Sequence, residues 1–223
     1  MVETREGTRT RTRTATGAGL VIAAAIGATM ALGGCNGAEP KSPEERTKTA
    51  VQSYKEGVSL YNEGKRDQGI EKLRDATRLQ PDYTLLRKDL GTMLLDRALQ
   101  RDGASIQLQY EADIAKRENR AQEAADKEKR GSEFAALARA DFMEARDNFE
   151  FVYDRWPQPD ERANAAYNLA QAYTGLGQFK RARDLLEEAI EAAQPTGPLR
   201  EKLERTLALL KEAALREERL GQR

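Results

Sequence analysis

Gly57 and Gly91 stand 34 residues apart, and similar residues flank both. A unit of that length holds two short helices and a turn. It cannot bury its own apolar face and becomes stable only when stacked on further units. This spacing predicts an all-α helical solenoid, whose surfaces suit binding better than chemistry. The composition agrees. Ala, Leu, Glu, Arg and Lys dominate the C-terminal three-quarters of the chain, and aromatics are only 6%; both favour helix.

The units can be followed along the chain. In the first, 44–83, Ser42-Pro43-Glu44-Glu45 supplies an N-cap, a first-turn proline and an acid three residues on. Gly57 allows a close helix crossing, with Leu60 and Tyr61 behind it. Gly64 ends the first helix, Ile70, Leu73 and Ala76 mark the second, and Pro81 stops it. In the second unit, 84–157, Leu90-Gly91 and Leu94 repeat the crossing. The matching second helix returns only at Ala145, Phe149 and Val152, ending in Trp156-Pro157. Pro81 to Pro157 is 76 residues, 42 beyond one period, so an insertion at about 102–140 separates the two helices. The third unit, 158–195, has Ala170 at the crossing, Tyr173 behind it, and Ala182, Leu186 and Ala189 on its second helix. Residues 196–223 follow with Leu199, Leu203, Leu207, Leu210 and Ala214 at spacings of three and four, opposite a charged face. That pattern suits a helix capping the last apolar face.

With these residues in phase, the chain resembles a bacterial tetratricopeptide repeat lipoprotein, with three repeats, a long helical insertion in the second and a C-terminal capping helix. One departure is Gly69, where the family usually has alanine, at a cost of roughly 1 kcal/mol in helix propensity. The resemblance implies that the first helix of each repeat lines a groove for a protein or peptide ligand. It thereby marks Tyr54, Val58, Tyr61, Lys88, Thr92, Asn164, Tyr167, Asn168 and Gln171 as candidate groove residues. Packing against neighbouring helices is the competing role for each. The basic clamp some relatives use for peptide C-termini is not reproduced; Lys88 and Asn168 are isolated pieces of it.

The insertion has two readings. Asp102-Gly103 and Gly131-Ser132 read as helix breaks, and 116–130 offers only alanines as apolar groups, which predicts a solvated helical arm. Alternatively Ile106, Tyr110 and Ile114 form a short apolar stripe that docks a partner or a second copy.

The N-terminus carries a second signal. Residues 1–16 are polar and basic, and 17–34 are apolar and small. Together they read as a secretory signal peptide, with the apolar run at the lower edge of spanning length. Leu32-Gly33-Gly34 before the only cysteine, Cys35, resembles the bacterial lipobox. That resemblance implies lipidation of Cys35, removal of 1–34 and a membrane anchor. Residues 35–43 then form the lipidated cysteine and a tether. Asn36 after the cysteine, rather than aspartate, favours the periplasmic side of the outer membrane in a diderm host.

Several chemistries are disfavoured. Histidine is absent, which removes His-based triads and His metal ligands. Carboxylate pairs such as Glu187-Glu188 lie on charged helix faces, and no catalytic, metal or cofactor motif is present. After loss of 1–34 the chain carries 33 basic and 35 acidic residues, interspersed, with no footprint for nucleic acid. The expectation is therefore a non-enzymatic, membrane-anchored adaptor of the cell envelope, binding proteins in assembly of a pilus, secretin or outer-membrane complex. The rival is a structural lipoprotein that forms homo-oligomers through the arm and C-terminal helix.

Overall fold

The computed structural model describes residues 42–221, all within one compact unit that spans 39–223. Seven helices follow one another: α1 (Pro43–Asn62), α2 (Arg66–Leu79), α3 (Thr84–Arg117), α4 (Ala121–Arg155), α5 (Pro159–Gly175), α6 (Phe179–Ala193) and α7 (Gly197–Gly221). Each packs on its sequence neighbours, and α3 also meets α5, and α5 meets α7. The described residues form an all-α solenoid of the tetratricopeptide type, with α1/α2, α3/α4 and α5/α6 as its hairpins.

Local sequence explains the ends of these helices. Ser42 and Glu45 close a reciprocal cap: Glu45 N–H donates to Ser42 Oγ at 3.1 Å, and Ser42 N–H to Glu45 Oε2 at 3.2 Å. Pro43, read from sequence both as a first-turn proline and as the end of the tether, is the first residue of α1, where its missing N–H costs nothing. Gly64 and Gly177 sit at φ +83° and +73° in the two equivalent turns, a conformation that only glycine adopts freely.

Gly69 changes meaning in three dimensions. A Cβ there would lie 2.7 Å from the Gly57 carbonyl oxygen and 2.9 Å from the Tyr61 nitrogen. The two glycines face each other where α1 crosses α2, so the lost helix propensity is the condition for that approach. Behind the crossing, Ile70, Leu73, Leu90, Leu94, Ala98, Phe142, Phe149 and Val152 join one buried core running from α2 to α6. A second cluster, with Leu186, Leu203 and Leu210, seats α7 on α5 and α6.

The insertion departs from the expected breaks. Asp102-Gly103 lies inside α3 and Gly131-Ser132 inside α4, helices of 34 and 35 residues. At 1.5 Å per residue each is about 50 Å long, so the extra residues prolong the second hairpin as a two-helix arm. Its turn is Glu118-Asn119-Arg120, with Asn119 at φ +59°, which asparagine tolerates better than most residues. Nor is the arm solvated on all sides. Ser105, Ala112, Ala115, Ala124, Gly131 and Ala138 are buried between its two helices. Ser105 Oγ donates to the Gly131 carbonyl at 2.8 Å. Small side chains let the helices lie close, and that contact outweighs the roughly 1 kcal/mol cost of a glycine inside a helix.

At the base of the arm sits a buried ion network. Arg97 is bidentate on Asp141, with Nε to Oδ2 at 2.9 Å and Nη2 to Oδ1 at 2.7 Å. Arg101 reaches the same carboxylate at 2.7 Å. Both arginines also contact Asp67 of α2, at 2.5 and 3.3 Å. Arg97 and Asp141 are both buried, so each ion depends on the others for compensation.

Candidate binding groove

The first helices of successive hairpins, α1, α3 and α5, carry the nine candidate groove residues. The structure sorts these by what their side chains already touch.

The α1 tyrosines are engaged with α3. Tyr54 donates its phenol proton to Asp89 Oδ2 at 2.8 Å, and Tyr61 donates to Asp96 Oδ2. Both acceptors lie 35 residues after their donors. The hydrogen bond to the Asp89 carboxylate, followed by burial, pushes the Tyr54 phenol up to about 12. Burial, followed by the Asp96 hydrogen bond, pushes Tyr61 up as well. Both remain neutral donors at neutral pH. Val58 is partly buried against the main core. These residues hold α1 on its neighbours, and their polar ends are spent within the chain.

Tyr167 of α5, equivalent to Tyr54, is also engaged within the chain, but through its ring. Lys202 of α7, 35 residues later, places its ammonium 3.7 Å from the centre of the Tyr167 ring. Thr92 is exposed, with its hydroxyl donating to the Lys88 carbonyl at 2.9 Å. Lys88 stays half exposed, its ammonium 5.5 Å from the Trp156 ring centre and 3.7 Å from Asp89 Oδ1. Asn164 is exposed and donates to the Asp160 carbonyl at 3.1 Å. Asn168 and Gln171 are linked by a long 3.4 Å hydrogen bond. Neither has another partner among the described residues, so most of their amide capacity is unused.

The nine candidates therefore divide. Tyr54, Val58, Tyr61 and Tyr167 join helices together, while Lys88, Thr92, Asn164, Asn168 and Gln171 keep atoms available to a ligand. Sequence reasoning passed over Asp89, Asp96, Trp156 and Lys202, which complete these contacts. A spacing of one period plus one residue was the signal for the aspartates and Lys202. Tyr153 follows it too, donating to Glu188 Oε1 at 2.9 Å.

With this geometry in place the family comparison is informative. Residues 134–194 match the tetratricopeptide repeat family. That match spans the second half of α4, α5 and α6. Its repeats generally mediate binding between proteins and act as scaffolds rather than enzymes. No curated protein matches the chain. Among the described residues, no three or more acidic or cysteine side chains are grouped to hold a metal ion, and no helix is long and apolar enough to cross a membrane. Leu32, Gly33, Gly34 and Cys35 lie outside the described residues.

Proposed function

We propose that this chain is a lipid-anchored adaptor of the bacterial envelope, holding partner proteins through the first helices of its tetratricopeptide repeats. The observation that carries the binding role is the unused amide capacity of Asn168 and Gln171, together with the half-exposed Lys88 on the adjacent helix of a stacked array. A half-exposed ammonium and free amides suit a polypeptide with backbone carbonyls and an acidic group. The anchor rests on the basic leader, the apolar run and the Leu32-Gly33-Gly34-Cys35 motif. Acylation of Cys35 with more than one chain would hold the protein stably at the periplasmic face of a membrane, the outer one in a diderm host. The partners that fit such a placement are components of a pilus, secretin or outer-membrane assembly machine.

Two measurements test this reading separately. Growth with a labelled fatty acid should mark the wild-type chain and leave Cys35→Ser unlabelled; equal labelling would remove the anchor. Quantitative crosslinking in cells should recover a defined envelope component with the wild type. That yield should fall about tenfold or more when Lys88, Asn168 and Gln171 are changed to alanine together. An undiminished yield would remove the groove.

A further inference from the structure

The arm carries an apolar stripe that no other described residue covers. On α3, Leu99, Ile106 and Tyr110 are 47%, 60% and 63% exposed. Gly103, between Leu99 and Ile106, has nothing within 4 Å of where a Cβ would stand. Steps of four, three and four residues set all four positions on one line along the helix, the spacing of a coiled-coil seam. The flanks are mainly amides, Gln100, Gln107 and Gln109, with Asp102 the one charge among them. The seam continues to Asp96 at one end, and to Asp113 and Arg117 at the other. Arg117 is exposed and has no ion-pair partner among the described residues.

We propose that this stripe pairs with the same stripe of a second copy, antiparallel about a two-fold axis. Such an interface is self-complementary, each residue meeting a different one across the axis. One register leaves no apolar residue opposite a charge. It sets Leu99 against Tyr110 of the second copy and Ile106 into the gap at Gly103 of the second copy. The registers on either side set Ile106 against Asp96, or Leu99 against Arg117. At each end of the chosen register Asp96 faces Asp113 of the second copy. Each carboxylate already has a cation in its own chain, Arg66 3.7 Å from Asp96 and Lys116 3.9 Å from Asp113, and Arg117 of the second copy, one turn further on, adds an unpaired positive charge beside them. The fit of Ile106 to the gap at Gly103, with the unpaired Arg117 brought to the acidic pair, points to a second copy as the occupant.

Three large side chains per copy fall short of the roughly 800 Å² per partner that stable complexes bury. The dimer is accordingly weak in solution, with a dissociation constant on the order of 10–1000 µM. Confinement of both copies to one surface would raise their effective concentration and favour the pair.

Sedimentation of residues 39–223, one compact unit that lacks Cys35, tests the pairing. The expected result is a reversible monomer–dimer equilibrium that Ile106→Glu weakens about a hundredfold with helicity unchanged. Register is read by mixing equimolar Gly103→Cys and Ile106→Cys under mild oxidation, where the mixed disulfide dimer should exceed each homodimer by well over the roughly twofold excess that random pairing gives. A chain that stays monomeric to about 1 mM, a dimer indifferent to Ile106→Glu, or a mixed species no more than about twice each homodimer would each overturn the proposal.

Discussion

Tyr54 donates to Asp89, 35 residues further along the chain, and Tyr61 repeats that contact with Asp96. Donors and acceptors are each seven residues apart, so the two bonds are successive rungs between α1 and α3. They make the first hairpin part of the stack, alongside the apolar contacts of Ile70 and Leu73. Removing one phenol should cost about 1–2 kcal/mol, since a carboxylate acceptor is left partly desolvated. Urea unfolding of Tyr54→Phe and Tyr61→Phe should show that loss in each, and the double variant should lose more than either alone.

The same bonds predict alkaline sensitivity. Tyr54, Tyr61, Tyr153 and Tyr173 all have phenols pushed above the ordinary value of 10, by burial or by a carboxylate hydrogen bond. A phenol with a raised folded-state value contributes stability that is complete below pH 10 and is lost as pH climbs through that raised value. For Tyr54 and Tyr173, both held at about 12, the window runs from pH 10 to 12. Unfolding midpoints measured across that range should fall with pH, and the fall should be shallower in Tyr54→Phe.

Two glycines in helices should respond oppositely to alanine. At Gly69 a Cβ meets the Gly57 carbonyl oxygen, so Gly69→Ala should destabilise by about 1–3 kcal/mol despite alanine's better helix propensity. At Gly103 the space is open, so Gly103→Ala should stabilise by about 0.5–1 kcal/mol. Thermal denaturation of the pair distinguishes packing from propensity as the controlling term.

The ion network at the arm's base should be lopsided. Asp141 is buried under two arginines, so Asp141→Ala leaves a buried positive charge and should cost about 3–5 kcal/mol. Asp67 is largely exposed, at 75% of its side chain, and Asp67→Ala should cost no more than about 1 kcal/mol. Denaturant titration of both variants checks the ratio.

Much of the fold was readable from spacing and punctuation. Gly57, Gly64, Ile70, Leu73 and Pro81 fall where a crossing, a turn, a buried face and a stop are needed, because these are local requirements on backbone and burial. The arm was misread where a local signal competed with a tertiary one. Gly103 and Gly131 look like breaks in one dimension, but Gly131 is where α4 lies close to Ser105 and Leu108 of α3. The groove was half legible. Tyr54, Tyr61 and Tyr167 stand on the helices that line it, but those helices must also hold one another. Which role a tyrosine takes depends on an acid or lysine 35 residues away. Cys35 and the motif before it lie outside the described residues, so that part of the account stands on sequence.

A protein held on the exposed face of α3 and α5 would lie within reach of side chains at Thr92 and Asn168. A photo-reactive amino acid placed in turn at Thr92, at Asn168 and at the exposed Glu191 of α6 tests this most directly in growing cells. One and the same envelope protein should be joined at Thr92 and Asn168 and absent at Glu191. No adduct at the two groove positions, or equal labelling at all three, would contradict it.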